Sequence, residues 1–239
     1  MPRRARITLP GIPHHIIQRG NNRHACFFAD DDYRFYLNWL GQYARESRCD
    51  IHAYVLMTNH VHMLLTPHTA HGVGSLMKRL GQRYVQYINR TYRRSGTLWE
   101  GRFRSCLTQD EEYVLSCYRY IELNPIRAKM VAHPAEYPWS SYGANAQGEE
   151  SNLLTPHNAY QTLGFTEESR RSAYNDLFRY HLEDGLIDQI RTATNGNYVL
   201  GNQHFQKQIE IALRRRVIPG ILGRPRLNKE NDTLDMFSD

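Results

Sequence analysis

Cysteine, tryptophan and long apolar runs are scarce in this chain, and each shortage closes off a class of protein. Among 239 residues there are 4 Cys and 3 Trp. Cys26, Cys49, Cys106 and Cys117 are scattered with no C-x-x-C pair, so no zinc ribbon, redox motif or disulfide framework is expected. They read as reduced packing residues. No stretch approaches the roughly 20 uncharged apolar residues of a membrane span, and the basic opening "MPRRARITLP" lacks the apolar segment of a secretory leader. A soluble, cytoplasmic protein is therefore expected. There is no glycine-rich phosphate loop, internal repeat or low-complexity tract.

What the chain does carry is positive charge, unevenly spread. The formal net charge is +6, and the surplus lies before residue 151. The densest block is Lys78, Arg79, Arg83, Arg90, Arg93, Arg94, Arg102 and Arg104, opposed by Glu100 alone. Such a block is often only a solvated helix face. Interleaved Tyr84, Tyr87, Tyr92, Trp99 and Phe103 favour nucleic acid instead, because single strands are held by cations on phosphates and aromatic faces under bases.

The hydrophobic pattern orders the chain. A strand over His14–Arg19 precedes a turn-forming "GNN"; Asp30-Asp31-Asp32 then opens a helix to about Arg48, with Tyr33, Tyr36, Leu37, Leu40 and Tyr43/Ala44 on one face. Strands Ile51–Met57 and His60–Leu65 form a hairpin about Thr58-Asn59. A basic helix over Gly74–Arg93, a strand over Arg102–Gln109 and a helix ending near Asn124, before Pro125, follow. This order predicts an α+β, ferredoxin-like (split βαβ) fold: a four-stranded antiparallel sheet with helices on one face and the other face open. The polar segment Trp139–Asn152 reads as a linker or surface loop. Beyond it lies a small helical C-terminal extension, with helix starts at Thr155-Pro156, Thr166 and Asn202. The division is residues 1–145 and 146–239.

"TNHVHMLL" (Thr58–Leu65) is the unusual strand. Its period of two sends His60, His62 and Leu64 to one face and Val61, Met63 and Leu65 to the other. Two imidazoles at i, i+2 converge on one point, as metal ligands do. With 12 histidines in the chain, the spacing alone is common, and two surface histidines explain it equally well. The last helix adds Tyr120 and, one turn on, Asn124. A phenol and a carboxamide brought over two imidazoles could form a nucleophile beside a cation site; separately, Tyr120 is an ordinary core aromatic and Asn124 an ordinary helix C-cap.

"HVH" after a hairpin, followed by "LWEGRFRS", "YRYIELNPIRAKMV" and "YPWSSY", resembles the HUH single-tyrosine transposases, and among them the REP-associated tyrosine transposases (RAYTs), over about residues 5–145. The resemblance implies single-stranded DNA cleavage and joining without an external energy source. It makes His60, His62 and Asn124 metal ligands and Tyr120 the nucleophile forming a 5′-phosphotyrosine, with Tyr118 the rival; relatives often have glutamine where Asn124 stands. The cofactor implied is Mg²⁺ or Mn²⁺, and the neutral donor set would also accept Ni²⁺ in a purified sample. The partner implied is a REP-like palindrome folded as a hairpin with a single-stranded tag. Arg3, Arg4, Arg6 and Arg19 are candidates for reading the tag, and Lys78, Arg79, Arg83, Arg102 and Arg104 for holding hairpin phosphates. A monomer is expected over a dimer, in a bacterial cytoplasm at the nucleoid. Two rival readings are a non-catalytic hairpin-binding regulator on the same scaffold and a metal-dependent phosphodiesterase using water. The pattern leaves the role of residues 151–239 open.

Overall fold

The computed structural model describes residues 6–109 and 112–220. Arg3, Arg4 and a "GRPR" stretch at 223–226, which distantly resembles a minor-groove hook, lie outside them. Seven elements follow the expected order: β1 (His14–Arg19), α1 (Asp30–Glu46), β2 (Cys49–Met57), β3 (His60–Pro67), α2 (Gly72–Thr91), β4 (Arg104–Thr108) and α3 (Glu112–Glu122). After them come α4 (Asn124–Arg127), α5 (Asn158–Gln161), α6 (Glu167–Leu177), α7 (Asp184–Gly196), β5 (Val199–Leu200) and α8 (Gln203–Leu213).

The strands lie in the order β2-β3-β1-β4-β5, the first four antiparallel, so the α+β, ferredoxin-like arrangement is present. It departs from expectation in two ways. The sheet has five strands, because Val199 and Leu200 pair parallel with Leu107 and Thr108; two residues are too few to register as a pattern. Helices also cover both faces. On one, α1 contributes Tyr33, Tyr36, Leu40 and Ala44, and α2 contributes Val73, Leu76, Met77, Leu80, Tyr84 and Ile88, over Ile16, Val61, Met63 and Leu65. Each fully buried leucine there is worth about 2 kcal/mol of transfer free energy. On the other, Val114, Cys117, Tyr118 and Ile121 of α3 meet Ala53, Val55, Leu64 and Cys106, in a core that also takes Tyr160, Tyr174 and Ile190. That face is apolar between its histidines, and so it is covered.

The helix boundaries have local causes. Ala29, not an aspartate, is the N-cap of α1; the Asp32 carboxylate reaches back to accept from the N–H groups of Phe28 at 2.8 Å and Ala29 at 3.0 Å. Pro125 ends α3 but also begins α4, sitting in a first turn whose N–H groups need no helical acceptor. Thr166 and Asn202 cap α6 and α8 as expected, α5 starts at Asn158 with His157 rather than Thr155 as its cap, and α7 is a further helix between α6 and α8.

The segment expected to be a linker is packed instead. Ser140, Ser141, Asn145 and Ala146 are buried, and Ser141 N–H bonds the Tyr54 carbonyl of β2 at 3.0 Å. Its polar residues answer a buried acid rather than water. Glu122 Oε1 accepts from Ser141 Oγ at 2.5 Å and from Asn145 Nδ2 at 2.8 Å, and Oε2 accepts from the Tyr174 hydroxyl at 2.7 Å. Burial raises the Glu122 pKa to about 7. All four cysteines are buried and free.

Candidate active site

Strand register decides which side chains meet. Antiparallel pairing sets Arg19 opposite His60, Ile17 opposite His62 and His15 opposite Leu64. Residues directly opposed share a face, so His15, Ile17 and Arg19 join His60 and His62 on the side that α3 covers. Tyr120 comes down from α3 onto this row. Its ring centre lies 5.7 Å from that of His62 and 5.6 Å from that of His15, both edge-on. The His60 and His62 rings are 5.0 Å apart and nearly perpendicular. A cleft of about 240 Å³ opens beside them, its wall completed by Asn124, Arg19, Arg191, Thr194 and Asn195.

The protonation state of His60 follows from its neighbours, and His62 has a partner of its own. Asn59 Nδ2 donates to the Arg23 carbonyl at 3.0 Å, which turns Asn59 Oδ1 toward His60 Nδ1 at 2.6 Å. An amide oxygen can only accept, so His60 carries its proton on Nδ1 and a lone pair on Nε2. His62 Nδ1 lies 2.8 Å from His15 Nε2, and His15 Nδ1 lies 2.9 Å from the Thr194 hydroxyl. Burial is the first cause that keeps these imidazoles neutral: it lowers the pKa of His60 to about 4 and of His15 to about 3, and holds that of His62 well below its ordinary value. Neutral imidazole is the ligating form.

The two tyrosines of α3 separate as their spacing requires. Tyr118 is fully buried among Tyr160 and Tyr174, and its hydroxyl accepts the N–H of His157 at 3.2 Å. Tyr120 faces the histidines. The Arg127 guanidinium lies 4.3 Å from the Tyr120 ring centre and donates to the Tyr120 carbonyl, and burial first of all lowers its pKa to about 10. Asn124 Nδ2 donates to the carbonyls of Tyr120 at 3.0 Å and Ile121 at 3.2 Å, which leaves Oδ1 as its remaining acceptor.

This donor set suits a divalent cation of intermediate softness: two neutral imidazoles and an amide oxygen. Among the described residues no three His, Cys, Asp or Glu side chains converge as a metal-binding group. A cation here would therefore use His60 and His62 and complete its shell with oxygens that carry no charge of the protein's own. His15 is not a third ligand, since both its nitrogens are engaged within the protein.

The candidate DNA-binding cations divide into two groups. Arg6, Arg19, Arg102 and Arg104 surround contiguous hollows beside the cleft; Arg6 stacks 3.7 Å from the centre of the Phe103 ring, and Arg104 donates to Asn195 Oδ1 at 2.9 Å. Lys78 borders an adjoining hollow with Arg6 and Arg102. Arg79 and Arg83 turn instead toward α1, Arg79 to Glu46 and the Tyr43 ring and Arg83 to the Trp39 ring at 4.2 Å. Helical spacing alone could not separate these, because the partners sit on another helix.

Comparison with known proteins bears on this geometry directly. Residues 9–124 match the family model described as "Transposase IS200 like". This part of the chain is similar to the IS200-like transposases. A solved REP-associated tyrosine transposase bound to a REP hairpin superposes with a TM-score of 0.55 at 17% identity, over 66% of this chain and 93% of that one. The fold is shared. A protein of Deinococcus radiodurans described as a transposase covers 55% of this chain and 100% of its own at 17% identity, but its TM-score of 0.36 carries no argument. A search of curated proteins finds no match. No helix among the described residues is long and apolar enough to cross a membrane.

Four contributors to the site escape the pattern of the sequence: His15, Asn59, Arg127 and Thr194. His15 carried a signal, since alternation in "HHIIQR" sends it to the same face as Ile17 and Arg19. Arg127, in "NPIR" one turn beyond Asn124, carried another. Thr194 carried none.

Proposed function

We propose that the protein is a metal-dependent single-stranded DNA endonuclease and strand transferase acting on REP-type palindromic hairpins through a 5′-phosphotyrosine intermediate. The observation that carries this reading is the Tyr120 ring meeting the His62 ring at 5.7 Å between centres, with the His60 ring 5.0 Å from that of His62. A divalent cation, Mg²⁺ or Mn²⁺, held by His60, His62 and Asn124 Oδ1 would polarise the scissile phosphate.

The chain's own residues do the rest. Tyr120 Oη attacks phosphorus in line, losing its proton; the Oη–P bond forms, the P–O3′ bond breaks, and the released strand takes a proton to end in 3′-OH. Attack by a 3′-OH reverses these steps and rejoins DNA. The phosphodiester energy stays in the covalent link, so no nucleotide is consumed. Arg127 puts a positive charge beside the Tyr120 ring, where negative charge develops on the oxygen. Arg6, Arg19, Arg102 and Arg104 line a path for phosphates leading into the cleft. Because Tyr120 and the histidines of one chain already meet, a monomer suffices for one cleavage.

Incubating the full chain with an end-labelled single-stranded hairpin and Mn²⁺ tests this reading. A covalent adduct that survives denaturation is expected. Binding without an adduct would favour a hairpin-binding regulator, and free fragments without an adduct a water-using phosphodiesterase.

A further inference from the structure

Thr194 belongs to α7, far along the chain from the histidine pair, yet it ends the hydrogen-bond chain that starts at His62. Its hydroxyl lies 2.8 Å from the Ile190 carbonyl one turn back and 2.9 Å from His15 Nδ1. A hydroxyl has one proton. The carbonyl can only accept, so that proton is committed to Ile190, and the threonine oxygen must accept from His15 Nδ1–H. Cys106 Sγ, 3.3 Å away, can only add a further donor to the same oxygen. His15 Nε2 is then a lone pair, and His62 must carry its proton on Nδ1 to donate to it at 2.8 Å.

The geometry favours this bond. The His15 and His62 ring planes are nearly parallel, at 16°, with ring centres 5.0 Å apart across the 2.8 Å contact of the two nitrogens. All three side chains are buried, and reversing the order would leave two lone pairs or two protons opposed in a dry environment. The direction is therefore set from one end, by a helix carbonyl, and the far end is the Nε2 lone pair of His62 facing the cleft.

We propose that Thr194 and His15 are positioning residues that fix the tautomer and ring orientation of His62, so that α7, in the C-terminal extension, prepares the metal ligand. This rests on the reading of His60 and His62 as a cation site. An outer hydrogen-bond partner of a ligating histidine typically changes metal affinity by ~10–100-fold. Thr194→Val keeps the shape and removes the acceptor.

The test uses the full chain with two readouts. Long-range ¹⁵N–¹H NMR of metal-free protein is expected to find His62 protonated on Nδ1 in the wild type and in Thr194→Ser. In Thr194→Val, mixed tautomers are expected. Calorimetry with Mn²⁺ is expected to give ~10-fold or greater loss of affinity in Thr194→Val, recovered in Thr194→Ser. His15→Phe, which keeps a ring and offers no acceptor, gives the same loss and serves if Thr194→Val does not fold. Mn²⁺ binding that disappears in His62→Ala but is unchanged in Thr194→Val and His15→Phe overturns the relay. Absence of Mn²⁺ binding in the wild type overturns the cation site instead, and the tautomer spectra then decide the hydrogen-bond chain by themselves.

Discussion

Tyr118 and Tyr120 stand two residues apart on α3 and serve opposite sides of it: one hydroxyl accepts the backbone N–H of His157 at 3.2 Å, while the other ring meets His62 at 5.7 Å between centres. This separation makes the two phenols distinguishable by substitution. Tyr120→Phe is expected to abolish the covalent DNA adduct with little change in stability. Tyr118→Phe is expected to retain the adduct and lose about 1 kcal/mol of unfolding free energy with its buried hydrogen bond. Denaturing gels and urea unfolding read the two effects separately; an adduct persisting in Tyr120→Phe would remove Tyr120 as the nucleophile.

If His60 and His62 hold the cation, replacing either by alanine should weaken Mn²⁺ binding by more than the ~10–100-fold that follows loss of an outer partner. Hairpin affinity measured in EDTA should change far less, because the phosphate contacts proposed above fall on other residues. Calorimetry and gel shift on the same preparations make the comparison, and equal losses in both assays would assign the histidines to DNA binding.

Arg104 and Arg19 line a hollow beside the cleft, Arg104 bonded to Asn195, whereas Arg79 is paired with Glu46. Alanine at Arg19 or Arg104 should reduce the slope of log affinity against log salt by about 0.7–0.9 each for a DNA hairpin with its tag. Arg79→Ala should leave that slope nearly unchanged. A slope lowered only by Arg79→Ala would move the DNA path to the α1 side of α2.

Glu122 gives the fold a pH dependence whose sign is fixed. Its pKa is raised to about 7 in the folded protein from an ordinary value of 4.5, chiefly by burial. The folded state thus binds the proton more tightly than the unfolded chain. Its contribution is fully present below about pH 4.5, is lost as pH rises to about 7, and is flat above that. Glu122→Gln should remove this loss, worth up to about 3 kcal/mol, narrowing the difference between pH 5 and pH 8 relative to wild type. Chemical denaturation at the two pH values measures it; a wider difference in the variant would reverse the assignment.

Much of this was legible in the sequence because it depends on short periods. Alternation along "HVHMLL" fixes the face of His60 and His62 without reference to the rest of the fold, and spacing along α3 separates Tyr118 from Tyr120. The apolar stripes of α1 and α2 are equally local. What stayed illegible depends on contacts between distant segments. Ser141, Asn145 and Tyr174 look like ordinary loop and helix residues until Glu122 is seen between them. Thr194 lies 179 positions from His15 along the chain, and nothing near it in sequence marks the contact. The covered second face is hard to read for a related reason: besides α3, its core draws Tyr160, Tyr174 and Ile190 from beyond residue 145, in helices too short or polar to suggest a shared core.

The two-residue strand β5 has a practical consequence. Without Val199 and Leu200, β4 would become the sheet's terminal strand, presenting bare peptide groups at Leu107 and Thr108 to any neighbouring molecule. Cutting the gene down to its transposase-like portion would thus strip away a guard against self-association together with the helices packed against Cys106 and Tyr118, and the fragment should come out as aggregate rather than as a smaller folded domain.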